Sequence, residues 1–97
     1  MPEILHLTTR DAWQRDPSSP YTDPSLQSEG FIHCSLPAQV IATAHRHHRG
    51  RTDLVLLRID PALLSSTVVH EDTSGRGVFP HVYGPIDREA VAVKSVL

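Results

Sequence analysis

Two short stretches of the chain carry side chains that can do chemistry. Residues 78–86 read VFPHVYGPI, and residues 29–35 read EGFIHCS. In the first, Pro80 and Pro85 each fix a backbone torsion, and Gly84 permits a turn or a close backbone approach. His81 and Tyr83 are thereby held in fixed directions. Two residues apart on extended backbone, they share one face. A rigid histidine–tyrosine pair suits a polar ligand site, and it equally suits a structural corner in which Tyr83 bonds a backbone group. The stretch is too irregular for an ordinary strand.

In the second stretch His33 lies between Ile32 and Cys34, just ahead of an expected helix. Backbone N–H groups at that terminus favour an anion, with His33 and Ser35 as further donors. The other reading makes His33 a buried histidine bonded to a carbonyl and Ser35 only a helix cap. His6 and Thr8 share a face of the first strand, at a cleft floor or at a sheet edge. Glu71 ends a strand beside a flexible loop, where a carboxylate serves as general acid or base or is simply exposed. Arg51 leads into the strongest strand with Asp53 nearby, placed to clamp a loop or an anion. His45 and His48 are three apart in AHRHHRGR, but no Asp, Glu or Cys nearby completes a metal set, so that run reads as a solvated helix end. Cys34 has only His33 as neighbouring base. Successive strand residues point to opposite faces, which argues against a cysteine–histidine pair.

These residues need elements to hold them. EILHLT alternates as a strand, and Thr8 or Thr9 caps a short helix through RDAWQR, with Trp13 on the core. Residues 16–30 carry three of the eight prolines and read as a loop with one helical turn at DPSLQS. GFIH is a short strand. Ser35 is placed to cap the next helix, with Pro37 in its first turn and Val40, Ile41 and Ala44 as its apolar stripe. DLVLLRID is a near-continuous apolar run, which predicts a central strand. TVVHE and residues 90–97 complete the set. The class is α+β, a small mixed domain of five or six strands and two helices.

A chain of 97 residues is one domain, spanning residues 1–97, and holds one modest core with a shallow cleft. Its net charge of -2 gives no electrostatic case for binding nucleic acid or an anionic membrane. A single cysteine excludes an internal disulfide. The first residues carry no basic, apolar leader, and no apolar run reaches the ~20 residues of a membrane span. The expectation is a cytosolic protein.

The segments HLTT, EGFIHCS with the following PAQV, GRTDLVLLRID and FPHVYGPI resemble, in order and over essentially the whole chain, the small bacterial family catalogued as domain of unknown function nine-fifty-two. That resemblance implies a fold similar to the ADP-ribosyltransferases, with two split sheets around a cleft for NAD. In the histidine–tyrosine–glutamate branch of those enzymes a first-strand histidine binds the ribose, a tyrosine stacks on nicotinamide, and a glutamate assists transfer. By that resemblance His6 and Thr8 take the first place. Phe31 or His33 takes the second, where this chain has no tyrosine, and Glu71 the third. The combined expectation is a cleft lined by His6, Thr8, Phe31, His33, Ser35, His81 and Tyr83. It binds a small anionic or nucleotide-like ligand, NAD or ADP-ribose first. An enzyme version adds a transferase or hydrolase step with His33 or Glu71 as acid–base. The alternative is a non-enzymatic interaction module that keeps only the fold.

Overall fold

The alternation in residues 4–9 forms strand β1 (Ile4–Thr9), and the apolar run after Asp53 forms β3 (Leu54–Ile59). The two pair antiparallel, with His6 opposite Leu57 and Thr8 opposite Val55. The last described strand, β6 (Val91–Ser95), pairs with the other side of β3. β3 is therefore central in a β1–β3–β6 sheet, as its two-sided apolar run requires. The computed structural model describes residues 2–95. Val96 and Leu97, expected to continue the last strand, lie outside the described residues.

A second antiparallel sheet has the order β2–β5–β4, from β2 (Ile32–His33), β4 (Thr67–Glu71) and β5 (Phe79–Tyr83). The proline-rich stretch is thus the middle strand of a sheet, against expectation. The reason lies in where Pro80 points. The N and C=O of one strand residue face the same neighbour, and the Pro80 carbonyl accepts from Cys34 N at 3.0 Å. The missing N–H therefore falls on the β2 side, where pairing stops, and the β4 ladder is intact.

Among the described residues the α-helices number three, one more than expected. Thr9 caps α1 (Arg10–Gln14) through Ala12 N. Asp23 caps α2 (Pro24–Glu29), which has Pro24 in its first turn and ends at Gly30 with φ 91°. The expected single turn is a full short helix. Ser35 caps nothing. Helix α3 (Val40–His47) starts five residues later with Gln39 at its cap position, and the Gln39 side chain instead accepts from Leu36 N.

The two sheets press their apolar faces together. Ile4, Val55, Leu57 and Ile59 from one meet Ile32 and Val82 from the other, joined by Tyr21, Cys34, Ile86 and Ala90. Each buried aliphatic side chain of this kind contributes about 1.5–3 kcal/mol. The long segment after α1 is tied down at both ends. Tyr21 and Ile86 exchange backbone bonds, and the Arg88 guanidinium donates to the carbonyls of Trp13, Asp16 and Ser19 while lying 4.4 Å over the Trp13 ring.

Gly84 is where β5 leaves the sheet, and there a side chain has no room. A Cβ at that position falls 2.3 Å from Ser66 Oγ and 2.9 Å from Ser66 Cβ. Ser66 Oγ itself is anchored on the Pro85 carbonyl at 2.7 Å. Gly84→Ala is expected to destabilise the fold by about 1–3 kcal/mol. In the Ser66→Gly background the same change costs less. Urea midpoints of the four proteins check this, and equal costs in both backgrounds refute the contact.

Candidate functional site

The β2–β5–β4 sheet turns Ile32, Pro80 and Val82 inward, so the alternating residues form its opposite face. His33 and His81 are directly opposed across β2 and β5, and Glu71 is opposed to Phe79 across β4 and β5. This face forms one wall of a cavity of about 420 Å³. Helix α3 supplies the facing wall with Thr43, Arg46 and His47, and Leu5 and Leu7 of β1 lie between. The connection after β4 brings Thr73, Ser74 and Arg76 to the rim.

His81 is the best-held group on this wall. It is 3% exposed, its Nδ1 donates to Glu71 Oε2 at 2.8 Å, and the Phe31 ring stacks on it at 4.0 Å. The Tyr83 hydroxyl donates to the same Glu71 oxygen. The hydrogen bonds from Tyr83 and then His81 hold the Glu71 carboxyl below its ordinary range, and the same carboxylate pushes the Tyr83 phenol up. Glu71 is thus an ionised acceptor that orients His81. His81 Nε2 makes no hydrogen bond among the described residues, and none of their buried side-chain nitrogens is left without a partner, so Nε2 opens on the cavity. Beside it His33, half-exposed, donates from Nε2 to Glu29 Oε2 at 3.0 Å.

His6 is held differently. Nδ1 donates to the His33 carbonyl at 2.6 Å, and Nε2 lies 2.9 Å from the Tyr21 hydroxyl. Asp23 Oδ1 stands 3.3 Å from that hydroxyl and 3.7 Å from Nε2. Burial raises the Tyr21 phenol, whereas the interaction with His6, then the bonds from Ser25, keep the Asp23 carboxyl far below its ordinary range despite partial burial.

Of the residues singled out in the sequence, His6, His33, Cys34, Ser35, His48, Glu71 and His81 meet at this cavity. Phe31 and Tyr83 stand behind it as supports of His81 and Glu71. Thr8 is buried and does not line it. Arg51 does not either: its guanidinium grips Asp53 through Nε and Nη2, beside the far end of α3. Nor does His33 sit at a helix N-terminus, since Ser35 turns its hydroxyl to Thr43 at 3.1 Å. Cys34 points into the core, and burial pushes its thiol up. Among the described residues no group of three or more His, Cys, Asp or Glu side chains is placed to hold a metal ion.

Sequence reasoning missed Tyr21, Asp23, Glu29, Arg46 and Arg76. For Glu29 a signal existed, four residues before His33. The others reach the site only through tertiary folding.

The model of the family described as protein of unknown function DUF952 matches residues 7–94. The chain belongs to that family. No curated protein matches it. The crystal structure of protein CC0527 from Caulobacter crescentus is similar at 28% identity and a TM-score of 0.82, over 93% of this chain and 81% of that one. The solution NMR structure of the same protein is similar at 27% identity and a TM-score of 0.80, over 99% and 85% of the two chains. The shared architecture is a small α+β domain. Among the described residues no helix is long and apolar enough to cross a membrane.

Asp23 both caps α2 and faces His6, and substitution separates the two roles. Asn is as good a cap as Asp, so Asp23→Asn removes the charge alone, whereas Asp23→Ala costs a further ~1 kcal/mol. The folded carboxyl is more acidic than the unfolded one. Its contribution is therefore complete above about pH 4 and is lost as the pH falls below that. The stability gap between wild type and Asp23→Asn is expected to shrink between about pH 7 and about pH 3, read from urea midpoints. A gap independent of pH refutes the charge role.

Proposed function

We propose that the cavity binds a small anionic, nucleotide-like ligand. One observation carries the reading. Each carboxylate lining the cavity is paired with a histidine: Asp23 with His6, Glu29 with His33, Glu71 with His81. The two guanidiniums lining it, Arg46 and Arg76, form no ion pair among the described residues. Both guanidiniums are free to meet an anion, and a guanidinium fork matches phosphate oxygens. Leu5, Leu7 and Phe79 offer apolar surface for the rest of such a ligand. The volume of about 420 Å³ falls within the range of small-molecule sites.

An ADP-ribosyltransferase-like architecture belongs to the same proposal, supported by two three-stranded antiparallel sheets beside a cleft. The residues assigned to NAD by that resemblance do not fit it. His6 has both ring nitrogens engaged within the protein, Thr8 is buried, and Phe31 has a ring face covered by His81. The ligand is therefore recognised by its phosphate, through Arg46 and Arg76. A cytosolic location is proposed on the single cysteine, which is free and buried.

The non-enzymatic alternative predicts that the polar residues of the motifs are bonded inside the protein. His6 favours it; the open Nε2 of His81 favours a ligand site. Amide-resolved NMR titration with ADP-ribose, NAD, inorganic phosphate and nicotinamide tests the proposal. Saturable shifts are expected at residues 33–35, 46 and 76–81 with the phosphate-bearing compounds and not with nicotinamide. Arg46→Ala and Arg76→Ala should each weaken binding about tenfold or more, the size of a charge-assisted hydrogen bond. Unchanged affinity in both variants sinks the reading.

A further inference from the structure

We infer that His33 and His81 act together as an acid–base pair that hydrolyses a small phosphodiester. The inference rests on the anion-binding reading above and adds a reaction to it. The two histidines are directly opposed across β2 and β5, and their ring centroids lie 5.2 Å apart. Each has one nitrogen on a carboxylate, His81 Nδ1 on Glu71 and His33 Nε2 on Glu29. A carboxylate of this kind accepts, so those nitrogens carry protons. The opposite nitrogens, His81 Nε2 and His33 Nδ1, make no hydrogen bond among the described residues. Histidine is the side chain that gives and takes a proton near neutral pH, and a carboxylate behind it fixes tautomer and direction.

The surroundings of the two rings divide the roles. His81 is buried, stacked on Phe31 and backed by a carboxylate that Tyr83 also holds. It is the base, with a fixed lone pair on Nε2. His33 is half-exposed, beside the exposed Glu29, where a leaving alcohol departs to solvent. It is the acid: as the imidazolium it keeps one proton on Nε2 against Glu29 and gives the other from Nδ1. The attacking group is water: Cys34 touches the cavity but is a buried thiol packed in the core cluster, and the buried Ser35 hydroxyl is engaged by Thr43. The water oxygen bonds to phosphorus as the ester P–O bond breaks. The water proton goes to His81 Nε2, and the leaving oxygen takes a proton from His33 Nδ1. The products are a monoester and an alcohol, and solvent returns the proton from His81 to His33. A diester suits the wall because it presents two non-bridging oxygens to two guanidiniums and needs one proton on its leaving oxygen.

Two probes separate the roles in the full chain. Bis(4-nitrophenyl) phosphate releases a stable phenolate that needs no acid, whereas 2′,3′-cyclic AMP releases an alkoxide that does. His81→Asn is expected to slow both by about 100-fold or more. His33→Asn is expected to slow the cyclic nucleotide by about 100-fold and the nitrophenyl ester far less. Equal losses on both probes for His33→Asn overturn its role as acid. If wild type turns over neither probe faster than the double variant while ADP-ribose still shifts the cavity amides, the reaction is refuted and the binding site stands. If those shifts are missing as well, both readings fall. Should His81→Asn lose its dispersed amide spectrum, the half-exposed His33→Asn carries the test alone.

Discussion

The chain changes sheets between two successive residues, and the rest of the structure depends on that step. Cys34 N donates to the Pro80 carbonyl in the second sheet. Ser35, the next residue, exchanges both backbone bonds with Leu5 of the first, at 2.7 and 2.8 Å. Pro80 cannot return the bond from Cys34, because it has no N–H, so the β2–β5 ladder ends there and the strand is released to cross. With the crossing fixed, Cys34 points into the shared core, and His33 is left on the outer face against His81. The His33 carbonyl is directed to His6 on β1. One tertiary amide nitrogen thereby sets where two sheets meet and where a cavity opens beside them.

A domain of this size has little apolar area to spare, yet it buries His6, Thr8, Ser35 and His81. Burial of such groups is tolerable only when their polar atoms are bonded. His6 achieves this by joining elements that share no ladder, and His81 by bonding a carboxylate on the neighbouring strand. His6 links β1 to the His33 carbonyl and, through Tyr21, to the start of α2. Arg88 does the same for the segment between α1 and α2, closing it with three carbonyls. Long-range polar ties of this kind carry no periodic signal, so none was legible in the sequence. The strands were legible, because alternation in residues 4–9 and the apolar run in 54–59 state their own burial. The proline stretch misled, since a proline inside a strand usually marks an edge, and only the direction of its missing N–H admits it to the middle. Ser35 misled as well. Its spacing to Pro37 reads as a helix start, but its backbone is needed for the crossing bridge, and the helix begins later.

The candidate site was legible to the extent that one strand face could be read from one segment. His81 and Tyr83 share a face because they are two apart, and that held without knowledge of the fold. Glu71 could not be placed from its own strand, because its partnership with His81 requires β4 and β5 to pair in one register. Arg46 looked like one more cation in a basic helix end. Its difference from Arg51 is that Arg51 has Asp53 beside it and Arg46 has no such partner among the described residues.

His6 and His81 show why burial alone does not identify a functional histidine. They are 6% and 3% exposed, lie mid-strand, and line the same cavity. Counting nitrogens separates them. His6 has both engaged within the protein, so its ring is a rivet between elements, and a ligand reaching it has to displace an internal bond. His81 has one nitrogen held by Glu71 and the other open, and the held nitrogen is what gives the open one a direction. The same carboxylate that stabilises the fold at β4–β5 therefore also aims the imidazole. Structure and chemistry divide here at a single ring, between Nδ1 and Nε2.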